Sequence, residues 1–401
     1  MSTIEDVAGW LTLAREIGAE FAARVVADER GRIRPDAQLQ RLKDSGLTNL
    51  VIPVRLGGAG QPWSLAMRVL REIAAGDGSV GLLFGYHLLN TVNLRREPQP
   101  RRDRLLAEIA EGRLWLAGVV NPRDDDILAT PSPGGGFRLT GRKGFCSGAA
   151  FADRLTISAR DRESGARLMV TLPADRPGLA YAGDWDHFGV ARSDSGSFTL
   201  DDVWASAEEV QVCDLEDAGD FAAVIRTPVN QSAFTQYYLG AAQGALREAR
   251  RYLHAEARPY LHAEARPWVH SLAASASEDP LVLSQMGELW IALQGAVALA
   301  DVAARRVDHL LEADATFTAD LRGETAIAVA SAKVLAARTA LDVTTRVFDA
   351  LGARATHNRL GLDRFWRDVR THSLHDPLAY KVLEVGRYAV SGQYPAIRAY
   401  T

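Results

Sequence analysis

The 401-residue sequence predicts an α+β fold of three consecutive blocks, helical, β-rich and helical again. Three observations carry this reading. Apolar residues recur at three- and four-residue spacing up to about Arg113, short β-rich runs broken by Gly, Pro and Asp follow from Leu114, and long periodic helical stretches return toward the C-terminus. The expected domains are an N-terminal helical domain over 1–113, a middle antiparallel β-barrel or sandwich over 114–215, and a C-terminal four-helix bundle over 216–401.

In the first block Ile4, Val7, Leu11, Ala14, Gly18, Phe21 and Val25 mark one helical face. The Gly-Asp-Gly at 76–78 then punctuates the chain, with Asp77 as a good N-cap for the run SVGLLFGYHLLN. On that helix Leu83, His87, Asn90 and Leu94 share a face. Taken alone, His87 reads more readily as a satisfied core histidine than as a reactive group.

Candidate strands in the second block are LWLAGVV, FRLTGRKGFCSG, RLTISAR, RLMVTLP and GSFTLDDVWA. The segment from Gly141 to Asp153 carries the most chemistry. Small residues around Phe145 and Ser147 let something flat approach the backbone, with an aromatic to stack on it and a hydroxyl to bond it. An ordinary strand end is the competing reading.

Helical periodicity in the third block covers 228–258, 281–312, 321–351 and 377–391, with Gly352 as a C-terminal stop. YLHAEARP occurs in tandem at Tyr252–Pro259 and Tyr260–Pro267, and Pro259 breaks a continuous helix, so one copy belongs to a loop after a helix that ends near Arg258. The run RFWRDVRTHSLHDP, from Arg364 to Pro377, packs three arginines, two histidines and two aspartates between helices. It reads as an anion- and proton-handling wall of a pocket, or as an ion-paired connection between helices. Asp376 followed by Pro377 has the form of an N-cap and a first helical residue.

A net charge of -4 and a pI near 6.2 give no basic footprint for nucleic acid. Cys146 and Cys213 form neither a disulfide framework nor a metal-ligand cluster, which fits a reducing cytoplasm. The start MSTIEDVAGW lacks the features of a signal peptide, and no later segment reads as apolar enough to span a membrane. Walker, HExxH, paired CxxC and GxSxG motifs are missing, so phosphoryl transfer, zinc hydrolysis and serine hydrolysis lack their minimal equipment. What remains is flavin-like chemistry.

Seven collinear stretches carry a resemblance over nearly the whole chain. They are GDGSVGLLFGYHLLN, GRKGFCSGA, DWDHFGVARSDSGS, EARPW, EDPLVLSQMGELWIALQGA, GARATH, and RFWRDVRTHSLHDP with GQYP. The sequence resembles the acyl-CoA dehydrogenase fold, and within it the flavin-dependent monooxygenase branch of dibenzothiophene monooxygenases and sulfur-acquisition oxidoreductases. That resemblance implies that Phe145 lies along a flavin ring, that Ser147 bonds its N5 edge, and that Asn121 lines its pyrimidine side. It implies cofactor phosphate contacts from Arg266 and Arg354, reaching across from a neighbouring subunit of a homotetramer. The tandem repeat leaves Arg258 as the alternative to Arg266. His87 and His375 match a histidine pair on the reactive side of the ring.

The departures from the dehydrogenase pattern have consequences. Where those enzymes carry a catalytic glutamate this chain has His375, Asp376, Pro377 and Leu378, and a capping carboxylate is a poor proton abstractor. VVNPRDDD replaces a glycine-rich run, which favours FMN over FAD. The resemblance thus implies a two-component monooxygenase: a separate NAD(P)H:flavin reductase supplies FMNH2, which reacts with O2 to a C4a-hydroperoxide that oxygenates a small apolar organosulfur, aromatic or heteroatom-containing substrate. Trp185 and Phe188 are candidate pocket walls, with core packing as the other reading. The alternative enzyme is an acyl-CoA dehydrogenase or a nitroalkane-oxidase-like flavoenzyme that uses Asp376 as base.

Overall fold

The computed structural model describes residues 4–121, 127–213, 217, 219–254 and 267–398. The amphipathic N-terminal sequence forms α1 (Ile4–Ala22), α2 (Val25–Arg30), α3 (Asp36–Ser45), α4 (Trp63–Gly76), α5 (Gly78–Asn93) and α6 (Arg101–Gly112). At the crossing of α1 and α4 a side chain on Gly76 would lie 2.1 Å from the Gly18 carbonyl oxygen, so the two backbones meet only because both positions are glycine. Asp77 caps α5 as expected, its carboxylate accepting the Val80 N–H at 3.0 Å.

The middle stretch forms β1 (Leu116–Val119), β2 (Leu128–Pro131), β3 (Phe137–Lys143), β4 (Arg154–Asp161), β5 (Arg167–Pro173), β6 (Leu179–Tyr181), β7 (Phe198–Ala205) and β8 (Val210–Val212). One sheet of order β6-β7-β3-β2-β4-β5-β8 holds them, with β1 added beside β4. Its inward residues, among them Leu139, Leu155, Ile157, Val170, Leu172 and Val203, close on a core of their own. The expectation of an antiparallel sheet needs one correction, because β4 runs parallel to both β1 and β2. The three-residue β6 and β8 and the four-residue β2 are too short to leave a legible alternation.

The last block consists of α7 (Phe221–Leu253), α8 (Pro280–Ala313), α9 (Ala319–Leu351), α10 (Asp363–His372) and α11 (Leu378–Ser391). Helices α7, α8 and α9 pack on one another and α11 lies against α9. Helix α7 starts before the expected 228 and runs through Pro228, since Val224, Ile225 and Val229 on either side of it are all buried. It ends at Leu253, short of Arg258. Arg258, Arg266 and most of the tandem repeat lie outside the described residues. The Arg364–Pro377 run is itself largely helix, with Phe365, Val369 and His372 turned inward from α10.

Contrary to the sequence reading, α8 is long and apolar enough to cross a membrane by length and composition, with a window of mean hydropathy 1.3. One of its faces, including Leu289, Leu293, Ala300 and Val307, is buried in this core. The opposite face exposes Leu283, Trp290 and Ile291.

A buried guanidinium fastens the sheet to the helices. Arg192, in the loop between β6 and β7, donates to Asp77 at 2.5 Å, to Asp28 at 3.3 Å and to the Ile33 carbonyl at 2.9 Å. Breaking this cluster from the arginine side leaves the Asp77 carboxylate buried without its cation, while Asp28 keeps as cation only the more exposed Arg24. Replacing Arg192 with Met is expected to destabilise the chain by about 3–5 kcal/mol. Chemical denaturation checks this; an unchanged unfolding free energy would remove the clamp from the account.

Candidate active site

The turn between α10 and α11 carries His375 and Asp376, and three helices shape what surrounds them. The His375 ring lies 5.1 Å from that of Phe234 on α7 and stacks at 5.6 Å on His372, the last residue of α10. His372 is buried and held between two phenols, with Tyr238 Oη 3.0 Å from Nδ1 and Tyr86 Oη 3.5 Å from Nε2. Burial, reinforced by the neighbouring His375 and Lys333, drives its pKa well below the ordinary range, so it is a neutral spacer.

Asp376 does not cap α11. That helix begins at Leu378 and its first turn receives no side-chain cap. The carboxylate turns inward instead, where it accepts from Lys333 Nζ on α9, from Gln231 Nε2 at 3.3 Å and faces His375 Nδ1 at 3.3 Å. Burial alone would raise its pKa, but the His375 hydrogen bond and the Lys333 charge outweigh this and hold it below the usual carboxylate range. Burial lowers the Lys333 ammonium, and its contact with Asp376 opposes that loss. Asp376 is therefore a poor base for a reason other than the one its sequence position offered.

A second cluster lies at the end of β3. Phe145 adopts φ 57° and is 66% exposed, with its ring edge-on to Trp185 at 6.1 Å and His187 at 6.2 Å. A bulky residue in the left-handed region, presenting an aromatic face outward, marks a place held for contact with something else. Trp185 stacks on His187 at 3.7 Å and donates to the Val190 carbonyl at 3.0 Å. The buried Ser147 hydroxyl meets Ser195 at 2.7 Å, and Ser195 meets Ser193 at 2.7 Å.

Helix α10 ties the two clusters together. Arg367 donates to the Phe188 carbonyl at 2.6 Å and Asp368 accepts the Val190 N–H at 2.6 Å, so the loop bearing Trp185 rests on the helix that ends in His372. A side chain on Gly189 would lie 2.0 Å from the Arg367 carbonyl oxygen. Phe188 stacks on Trp366 at 5.9 Å on the exposed side of this contact.

His87 stands apart from this arrangement. Its Nε2 faces the Thr48 carbonyl at 2.9 Å, its Nδ1 accepts the Leu116 N–H at 3.1 Å, and its ring stacks on Trp115 at 4.8 Å. Burial lowers its pKa to about 4. Both nitrogens of this neutral ring are taken by backbone, so the structure places it as a strut between α5 and β1 and does not bring it beside His375, with which the resemblance pairs it. Asn121, just past β1, contributes its carbonyl to Lys143 Nζ at 3.1 Å. Arg354 lies exposed after α9, without a side-chain hydrogen bond or ion pair among the described residues. Of the three arginines in the motif, Arg364 bonds the Gly361 carbonyl at 2.8 Å and Arg367 pairs with Glu29 at 3.0 Å, both structural roles.

Tyr86, Phe234, Tyr238, Lys333 and His372 were not singled out by the sequence. His372 sits three residues before His375 in the same motif, and Lys333 is the only lysine in the alanine-rich stretch 319–351, so both left a signal.

Residues 11–113 match the family described as acyl-CoA dehydrogenase, N-terminal domain, and residues 231–379 match acyl-CoA dehydrogenase, C-terminal domain. A dibenzothiophene monooxygenase of Rhodococcus erythropolis is 37% identical, with 96% of this chain and 94% of that protein covered. A probable FMNH2-dependent monooxygenase, SfnC, of Pseudomonas putida is also 37% identical, with 98% and 97% covered. The solved complex of the Paenibacillus sp. A11-2 protein TdsC with FMN and indole superposes with a TM-score of 0.88 at 36% identity, covering 98% of this chain and all of that one (100%). The chain belongs to the acyl-CoA dehydrogenase family, in its flavin-dependent monooxygenase branch.

Asp368 gives the site a measurable pH signature. Burial and the nearby Glu29 raise its pKa to about 8, against the Val190 hydrogen bond that lowers it. The folded state thus keeps a proton that the unfolded chain gives up near the ordinary carboxylate pKa, so this contribution to stability is present at low pH and lost as pH rises through about 8. Asp368→Asn is neutral throughout. Between about pH 5 and about pH 8.5 the unfolding free energy of the parent is expected to fall relative to that of the variant, and parallel profiles would contradict the assignment.

Proposed function

We propose that this family member is a two-component FMNH2-dependent monooxygenase acting on a small apolar substrate, of organosulfur, aromatic or heteroatom-containing type. The observation that carries the reading is the Lys333–Asp376 pair. A dehydrogenase of this fold needs a carboxylate able to take a proton from carbon, and in Asp376, the acid beside His375, the His375 hydrogen bond and a buried ammonium lower the affinity for that proton. The substrate classes rest on the relatives, named for dibenzothiophene and, in the solved complex, for indole.

The residues present fit a flat, anionic cofactor. Phe145 offers an outward aromatic face, the Ser147–Ser195–Ser193 chain offers hydroxyls, and Arg354 offers a charge for a phosphate. Arg266 or Arg258 would add a second charge. FAD is the less favoured cofactor. When bound, reduced FMN supplies two electrons, so that one atom of O2 enters the substrate and the other leaves as water. His375 would hold and deliver the proton this requires, oriented through Nδ1 by Asp376. Phe234 beside His375 and Trp185 beside Phe145 offer apolar surface to such a substrate. Trp185 and Phe188 remain the proposed pocket walls and Asn121 a proposed lining residue.

A separate NAD(P)H:flavin reductase is the implied partner, and the cytoplasm the implied compartment, consistent with both cysteines being buried thiols. The uncovered apolar face of α8, with Leu283, Trp290 and Ile291, supports a homotetramer in which a second copy lies on it.

Two outcomes are expected. His375→Ala should leave the thermal midpoint unchanged and, with a reductase present, lower product formation by about 10²–10⁴-fold; coupled turnover retained by the variant would sink the role. Trp290→Glu combined with Ile291→Glu should shift the sedimentation coefficient from that of a tetramer toward smaller species, and an unshifted boundary would place the subunit contact elsewhere.

A further inference from the structure

We propose that Lys333, on a helix remote in sequence from the histidine motif, fixes the tautomer of His375 by keeping Asp376 as an acceptor-only carboxylate. Three facing groups set up the argument. Lys333 is buried with its ammonium on Asp376 Oδ1, the oxygen that also faces His375 Nδ1 at 3.3 Å. Gln231 Nε2 donates to the other oxygen at 3.3 Å. A carboxylate already receiving an ammonium and an amide N–H has no proton to give, so the Nδ1 contact exists only if His375 carries its hydrogen there. The ring's lone pair is then at Nε2.

The neighbouring groups described around His375 are engaged elsewhere or carry no donor. His372 stacks on His375 and spends its own nitrogens on Tyr86 and Tyr238. Phe234 presents a ring without a donor to either histidine, and Lys333 lies 5.9 Å from its centroid. Lys381, the other buried ammonium nearby, is spent on Glu384 at 3.0 Å. Lys333, buried behind Asp376, is thus a positioning residue that acts through Asp376 on which nitrogen of His375 accepts a proton. The proposal rests on the proposed function for the purpose of that tautomer, though not for its existence.

The test uses a neutral replacement of the pair, because Lys333→Met alone leaves a carboxylate buried without its cation and risks misfolding. In Lys333→Met combined with Asp376→Asn both charges are gone together, and the amide that replaces the carboxylate both accepts and donates. The flavin-free protein, labelled with ¹⁵N-histidine, is examined at alkaline pH, with the His375 signals identified by their loss in His375→Gln. The parent is expected to show a protonated Nδ1 and a bare Nε2, and the double variant a mixture of tautomers. With FMN and a reductase, the double variant should form product at least tenfold more slowly while keeping its affinity for FMN. A bare Nδ1 in the parent, or one unchanged tautomer together with full coupled turnover in the double variant, overturns the proposal. A tautomer change on going to the double variant from a parent that oxygenates nothing supports the positioning role and defeats the oxygenase reading instead.

Discussion

The structure depends first on the buried guanidinium of Arg192. Its charge is shared between Asp77, which also caps α5, and Asp28 in the N-terminal helices, and all three side chains are nearly inaccessible. Because Arg192 belongs to the loop between two strands, this cluster sets where the sheet stands relative to the helices. The same loop carries Trp185, Val190 and Ser195, so the register of the aromatic cluster and of the serine chain follows from it. A hydrophobic contact would permit sliding. Charge-assisted hydrogen bonds with fixed directions do not.

From that anchor the site is built in two steps. Helix α10 rests on the loop through Arg367 and Asp368, and its C-terminal end delivers His372 and then His375 against α7. The electrostatics come from α9, where Lys333 meets Asp376. A carboxylate that stands beside His375 with its charge paired to a buried ammonium has a lowered proton affinity and is a poor base for removing hydrogen from carbon. It can hold that histidine in one orientation. The difference between removing hydrogen and adding oxygen therefore turns on a lysine more than forty residues away in the chain.

Much of this was legible in the sequence. Periodicity placed the helical and β-rich blocks, and the N-cap at Asp77 was read correctly because capping is a local matter of residue type and spacing. Asp376 shows where such reading fails. Its position before Pro377 is that of a cap, but a buried ammonium offers a carboxylate more than backbone N–H groups at a solvent-exposed helix start, and nothing local in the sequence announces Lys333 as its partner. His87 and His375 looked alike as histidines in suggestive motifs. Only tertiary structure separates them, since the groups that satisfy His87 come from Thr48 and Leu116, both distant in sequence. The parallel pairing of β4 with β1 and β2 is likewise a property of chain crossing that strand patterns do not encode.

The proposed function requires this chain to hold reduced flavin and O2 together and to shield them from water once the cofactor is bound. The most direct test mixes protein loaded with reduced FMN with O2 in the absence of substrate and follows the appearance of H2O2. Release slower by about tenfold or more than from free reduced FMN is the predicted result. H2O2 appearing as fast as from the free cofactor would contradict the claim.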